Sequence, residues 1–316
     1  MLLNDVRALA GRICENVGQA IVGKPNEIRL VVAAMLAGGH VLLQDMPGTG
    51  KTMLARALAK SVDCSFKRVQ FTPDLLPGEL TGIRFYHPKT GEFSFREGAL
   101  FANIVLADEI NRATPRTQSG LLESMEERQV SVDGETWQLP HPYFVIATQN
   151  PVETQGTFPL PEAQLDRFLV QLSLGYPSRE QSVQILQQNI RGIPAEALSP
   201  VCTAADILEM SEAARSVFIH DELCRYISSI AEATRSHEAV LLGASTRACI
   251  ALARLAQACA AIEGRDYVTP DDIKLLAPHV FSHRLLLRGS HRSASSAGLV
   301  IELLAAIAVP VEEWKA

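Results

Sequence analysis

The chain is poor in the features that mark secreted, fibrous or membrane-spanning proteins. Six cysteines in 316 residues, at 14, 64, 202, 224, 249 and 259, are too sparse for a disulfide scaffold. No C-x-x-C pair supplies metal-ligand spacing. No run approaches the roughly 18 apolar residues that a membrane helix needs. The opening Met1-Leu2-Leu3-Asn4-Asp5 lacks the basic-then-apolar pattern of a signal peptide, so the expected setting is the cytoplasm. Positive charge is in deficit: 29 Lys and Arg stand against 35 Asp and Glu, a net charge of −6. That balance argues against a protein whose task is coating nucleic acid, although a local basic groove is compatible with it.

What is there reads as an ordinary globular chain. Hydrophobic residues make up 47% and charged residues 20%, which excludes a disordered or collagen-like polymer. At about 150 residues per domain the length suggests two domains. In the first half, short apolar runs alternate with helical patterns, the signature of a parallel sheet covered by helices on both faces. The expected strands are Val41–Leu43, Ser65–Phe71, Phe101–Ala107, Phe144–Thr148 and Leu169–Leu172, with a helix over Thr52–Lys60. Aromatics flanking a Pro-Lys-Thr-Gly turn predict an inserted hairpin at about 83–97, and Asp133-Gly134 predicts a second within Val130–Trp137. After Tyr176-Pro177-Ser178 strand patterns fade. Helical periodicity takes over in Asp221–Arg235 and Thr246–Ile262, and Thr269-Pro270-Asp271-Asp272 is a helix start. The expected organisation is an α/β domain over 1–176 and a smaller helical domain over 177–316.

The chemistry concentrates in three places. Asp45-Met46-Pro47-Gly48-Thr49-Gly50-Lys51-Thr52 joins the first strand to a helix. Glycine-rich turns let backbone N–H groups wrap phosphate oxygens at the positive end of a helix dipole. Lys51 would reach the β- and γ-phosphates and the Thr52 hydroxyl a Mg²⁺ ion. The phosphate-loop pattern G-x-x-x-x-G-K-[ST] is met except at its first position, where Asp45 replaces a glycine that serves turn geometry more than phosphate contact. An accidental Gly-Lys-Thr is the competing explanation; its place between an apolar strand and an amphipathic helix argues against accident. The third strand runs into Asp108-Glu109: Asp108 would hold Mg²⁺ through water, and Glu109 would orient or deprotonate an attacking water. The fourth ends in Thr148-Gln149-Asn150-Pro151, so Asn150 stands at the strand edge where α/β ligands bind. Taken singly, Asn-Pro is more often a plain turn signal.

Together Leu106–Ala113, Leu121–Glu127, Ala147–Pro151 and Leu165–Phe168 resemble the MoxR family of AAA+ ATPases. The resemblance covers most of the chain and implies a P-loop αβα domain, a helical lid, ATP and Mg²⁺ as cofactors, and assembly into a ring, usually a hexamer. It implies that Asn150 is a first sensor, that Arg167 is a finger reaching a neighbour's ATP, and that Arg247 is a second sensor carried by the lid. The segment Ala20–Lys24, with Ile21, Val22 and Gly23, resembles the one that packs around adenine, and Pro47 to Met53 would line the nucleotide. Arg247 and the Lys51 loop are then expected to grip the same phosphates from two domains. Without the resemblance, Arg167 and Arg247 read rather as surface salt bridges or helix C-terminal charges. Arg112 stays open between an interface role and plain solvation. His220 and His283-Arg284 read as cap or packing residues, and Leu303–Val311 as lid packing. Tyr86, Phe93, Phe95 and Trp137 read as hairpin core or as a pore-facing client contact.

The resemblance implies chaperone-like remodelling or maturation of a larger complex, with partners carrying von Willebrand factor A domains. Neither nucleic acid nor membrane insertion is expected. Two alternatives remain: a nucleic-acid motor or loader, and a nucleotide-gated switch with little turnover.

Overall fold

A computed structural model of the protein describes residues 1–150, 156–191, 198–289 and 295–310. Pro151 of the Asn-Pro motif and Val311 of the last apolar stretch lie outside them. The chain opens with helices α1 (Leu3–Ala20) and α2 (Pro25–Leu36), then β1 (Val41–Gln44) and α3 (Lys51–Ser61). Next come β2 (Phe66–Gln70), a short α4 (Pro77–Thr81), the hairpin β3 (Ile83–His87) and β4 (Glu92–Arg96), and β5 (Ile104–Asp108). A 3₁₀ turn at Ile110–Arg112 leads to α5 (Pro115–Glu127), a second hairpin of β6 (Gln129–Val132) and β7 (Glu135–Gln138), and β8 (Phe144–Gln149). One turn of helix, α6 (Glu162–Leu165), precedes β9 (Val170–Leu172).

The central sheet has the order β2-β5-β8-β1-β9, and every neighbouring pair is parallel. Side chains alternate across a strand, and the two hydrophobic cores follow that alternation. Val41, Leu43, Ile104, Leu106, Phe144 and Ile146 face α1, α2 and α3. Leu42, Val105, Ala107, Val145 and Ala147 face α5 and the hairpins. Both faces are covered, which is why β5 is buried at all five positions. The expected strand at Phe101–Ala107 begins three residues later, because residues 101–103 form the approach to the sheet.

Both expected hairpins form. Phe95 stacks on Trp137 with ring centroids 4.0 Å apart and planes at 11°. Arg84 pairs with Glu135 at 2.9 Å, so the two hairpins brace each other. Trp137 and Phe95 are therefore packing residues. Tyr86 and Phe93 are 52% and 62% exposed and pack on one another at 5.3 Å.

The remainder is mainly helical: α7 (Arg179–Arg191), α8 (Ala204–Arg215), α9 (Asp221–Ser236), α10 (Thr246–Ile262), α11 (Pro270–Phe281) and α12 (Ser296–Ala306). Starts are capped as local chemistry demands: Thr203 with Asp206, and Thr269 with Asp272, form capping boxes. His220 caps α9 by accepting from the Glu222 N–H. The fading of strand patterns after Tyr176 misses one feature, an antiparallel ladder of β10 (Val240–Leu242) with β11 (Leu286–Leu287). Alanine-rich α10 packs on α1, α2, α8, α9 and α11, because small side chains allow close helix approach. The first core thus runs from the N-terminal helices into the lid. Among the described residues, no helix is long and apolar enough to cross a membrane.

Arg284, 5% exposed, fastens the end of α11 to the approach of β9. It donates to Asp166 Oδ1 at 2.6 Å and to the carbonyls of Phe168 at 2.6 Å and Leu169 at 3.3 Å. Removing one member of a buried ion pair strands the other. Arg284→Ala is expected to lower unfolding stability by about 3–5 kcal/mol, read from the urea midpoint.

Candidate functional site

The loop between β1 and α3 turns through Gly48 (φ +82°) and Gly50 (φ +92°), left-handed conformations that glycine adopts without a Cβ clash. Lys51 then begins α3, whose first-turn N–H groups have no intrahelical acceptor and point into the loop. Lys51 Nζ donates to the carbonyls of Asp45 at 2.9 Å and Met46 at 3.3 Å, and Thr49 Oγ1 donates to Met46 O at 3.3 Å. A cleft of about 510 Å³ opens here, lined by Pro47 to Met53 with Arg56, Arg68, Asp108 and Glu109. Ile21 Cδ1 lies 3.9 Å from where a Cβ on Gly50 would stand, so the expected adenine segment adjoins the phosphate loop. Val22 beside it is buried, and Gly23 (φ +73°) packs under Gln181 of α7.

Asp45, the residue that breaks the glycine pattern, is 4% exposed. Its carboxylate accepts from Ser173 Oγ at 2.7 Å, Leu174 N at 2.7 Å and Gly175 N at 2.9 Å. A glycine could make none of these bonds.

Asp108 closes β5 and is 7% exposed. Thr148 Oγ1 donates to its Oδ1 at 2.6 Å, while Arg68 donates to Oδ2 from NH2 at 2.6 Å and from Nε at 3.1 Å. Glu109 takes a left-handed backbone (φ +57°) and donates its N–H to Thr148 Oγ1 at 2.8 Å. Its carboxylate accepts from Gln70 Nε2 at 2.7 Å and pairs with Arg112 at 3.2 Å. Arg112 thus engages the neighbouring acid of its own chain rather than water alone. Asn150, 7% exposed, follows the last residue of β8. Thr52 opens α3 beside Lys51 and faces the same cleft.

Arg68 and Gln70 were not singled out from the sequence. Both lie on β2, whose Gln70 is in register with Asp108. The alternation Lys67-Arg68-Val69-Gln70 was a signal, but only the pairing of β2 with β5 says which polar side chain meets which acid.

Arg167 and Arg247 sit elsewhere. Arg167 donates to Leu122 O at 2.6 Å and pairs with Glu126 at 3.2 Å. Arg247 pairs with the same Glu126 at 2.8 Å and with Asp166 at 3.9 Å. They line a second cleft of about 210 Å³ together with Gly38–His40, Arg254 and Arg284. Gly38–His40 precede β1 and Asp166–Leu169 precede β9, so this cleft lies at the amino ends of strands whose carboxyl ends carry the phosphate loop. In this placement Arg247 and Lys51, expected to grip the same phosphates, line different clefts of the one chain. The cause is the docking of α10, whose cap Ser245 meets Asp166 at 3.3 Å and whose first turn meets the end of α5.

Among the described residues no three His, Cys, Asp or Glu side chains cluster as a metal cage. A hydroxyl at Thr52 and a carboxylate at Asp108 are hard oxygen donors of the kind Mg²⁺ takes. Both Asp108 oxygens already accept hydrogen bonds, which fits contact to an ion through its water shell.

A parallel αβα sheet, a glycine loop with lysine at its carboxyl edge, and an Asp-Glu strand end beside it define a nucleotide-binding P-loop ATPase. Comparison with known proteins agrees. Residues 40–170 match the ATPase family associated with various cellular activities (AAA), and residues 232–302 match the AAA lid domain. An uncharacterised Bacillus subtilis protein, YeaC, is 49% identical, spanning 98% of this chain and 97% of that one. Chaperone MoxR1 of Mycobacterium tuberculosis is 40% identical over 90% of this chain and 78% of its own length. A crystal structure of a putative ATPase from Cytophaga hutchinsonii superimposes with a TM-score of 0.91 at 36% identity, covering 98% and 97% of the two chains. The chain belongs to the MoxR family of AAA+ ATPases.

If the loop cradles a triphosphate, Lys51→Ala removes a charged hydrogen-bond donor worth roughly 1.5–3 kcal/mol. The Kd for Mg·ATP should rise about 10- to 100-fold by calorimetry, with the fold retained.

Proposed function

We propose that this protein is an ATP-hydrolysing, chaperone-like AAA+ ATPase that works as a ring, usually a hexamer, and remodels or matures a partner complex. The observation that carries the reading is the division of the chemistry. The Lys51 cleft, at one end of the sheet, holds a candidate base and ion ligands, whereas Arg167 and Arg247 stand at the other end. A triphosphate beside Lys51 therefore receives those guanidinium groups from a neighbouring copy. Arg247 joins Arg167 as an in-trans group instead of acting on its own chain's phosphates.

In this mechanism the loop N–H groups and Lys51 hold the β- and γ-phosphates. Thr52 and, through water, Asp108 hold Mg²⁺, which when bound neutralises charge on the phosphate oxygens. Asp108 stays oriented between Arg68 and Thr148. Glu109 orients the lytic water and takes its proton, with Asn150 holding the same water. For this Glu109 exchanges its contacts with Gln70 and Arg112 for the water. Glu126 holds both guanidinium groups of the other cleft in an exposed pair, worth only about 0–1 kcal/mol, so a neighbour's phosphates displace it at little cost. Properly placed guanidinium groups contribute about 10³–10⁵ in rate.

The family name and the similarity to Chaperone MoxR1 support the remodelling role. A partner carrying a von Willebrand factor A domain is part of the same proposal, as is cytoplasmic residence. The grip of Gln70 and Arg112 on Glu109 also suits a nucleotide-gated switch, and kinetics separate the two.

Glu109→Gln is expected to bind Mg·ATP like the wild type and to lose about 10²–10⁴ in single-turnover hydrolysis. Equal slow rates for the two proteins favour the switch. Arg167→Ala is expected to keep nucleotide affinity and ring assembly while turnover falls about 10³-fold or more. Normal turnover by Arg167→Ala rings refutes the in-trans assignment.

A further inference from the structure

Asp45 does something that phosphate binding does not require. Its buried carboxylate faces away from generic loop chemistry and is capped by three donors from consecutive residues, Ser173, Leu174 and Gly175. Those residues begin the connection between β9, which ends at Leu172, and α7, which starts at Arg179. The same connection is touched from a second nucleotide-facing segment: Lys24 Nζ donates to Tyr176 O at 3.5 Å. Just beyond it, Gln181 Nε2 donates to Gly23 O at 3.4 Å. Gly175 turns through φ +61° to present its N–H to Asp45.

The chain therefore ties both ends of its candidate nucleotide site, the phosphate loop through Asp45 and the Ile21–Lys24 segment through Lys24, to one short stretch that leads into the lid. The backbone of Asp45 adds to the coupling. Its carbonyl accepts from Lys51 Nζ, which also donates to Met46 O and keeps its third N–H for a phosphate. A change at Lys51 thus acts on the same residue whose side chain holds residues 173–175.

Resting on the ATPase reading above, we propose that Asp45 is a positioning residue that yokes the phosphate loop to residues 173–175, so that nucleotide occupancy sets the attitude of the lid. Asp45 touches no substrate. It acts through the amides it holds, and those amides are its direct reporters. Asp45→Gly restores the residue most P-loops carry, so the loop can still wrap phosphate, while all three bonds to the connection are lost. Ser173→Ala removes one bond and leaves the loop sequence intact.

The experiment is hydrogen–deuterium exchange over residues 173–178 without nucleotide, with Mg·ADP and with a non-hydrolysable Mg·ATP analogue, alongside calorimetry and steady-state kinetics. In the wild type, protection of the Leu174 and Gly175 amides is expected to differ between nucleotide states. In Asp45→Gly those amides should exchange about tenfold faster in every state, with the nucleotide dependence gone. The Kd for Mg·ATP should stay within about threefold of the wild type while kcat falls about tenfold or more. Ser173→Ala should lie between the two. Nucleotide-dependent protection that persists unchanged in Asp45→Gly overturns the proposal. So does a defect confined to Kd with kcat intact. A wild type that binds no Mg·ATP overturns instead the reading on which the proposal rests.

Discussion

Parallel pairing of β5 with β8 and of β8 with β1 is the constraint from which the site follows. Ala107 lies opposite Ala147, and Leu43 and Gln44 lie opposite Thr148 and Gln149. The chain therefore leaves the sheet at the same level on three adjacent strands, delivering Asp45, Asp108 and Asn150 to one edge. Thr148 shows how tightly this is held: one hydroxyl donates to Asp108 and accepts from the N–H of Glu109. A one-residue slip would reverse which face each side chain meets and break both bonds. On the other side β2 contributes Arg68 and Gln70, which hold the two acids in separate poses.

The opposite edge of the sheet has a different electrostatic character. In a chain of net charge −6, Arg167, Arg247, Arg254 and Arg284 gather in one cleft against Glu126 and Asp166. Arg284 is buried and structural, because its donors end on Asp166 and on backbone carbonyls. Arg167 and Arg247 share the exposed carboxylate of Glu126, which keeps them oriented and exchangeable. In the proposed assembly, the cations at one end would meet the triphosphate held by a neighbouring copy's loop at the other, a head-to-tail contact. Such heterologous contacts close into a ring when the rotation permits. This is the physical content of the proposed assembly.

Much of this was legible from sequence, and what was not has a common cause. The phosphate loop, the Asp108-Glu109 strand end, both hairpin turns and the start of α11 are written in contiguous residues, so local patterns identify them. Trp137 was legible as an aromatic near a turn, but its stack on Phe95 needs two hairpins to meet. Arg68 and Gln70 gain meaning only from the order of strands in the sheet. Asp45 reads as a blemish in a motif until Ser173–Gly175 are seen to surround it. Arg247 was assigned to the Lys51 phosphates by resemblance, whereas the docking of α10 carries it to the other edge. Each of these depends on contacts between residues far apart in the chain, which spacing and periodicity do not encode.

The central claim is that one catalytic site is assembled from two faces of two copies. It is tested most directly by mixing two defective proteins, Lys51→Ala, which keeps Arg167 and Arg247, and Arg167→Ala, which keeps the phosphate loop. Each alone is expected to be inactive in steady-state ATP hydrolysis. Mixed and reassembled, they should regain turnover, because some interfaces then pair an intact loop with an intact arginine. Assembled mixed rings that stay as inactive as either parent would contradict the account.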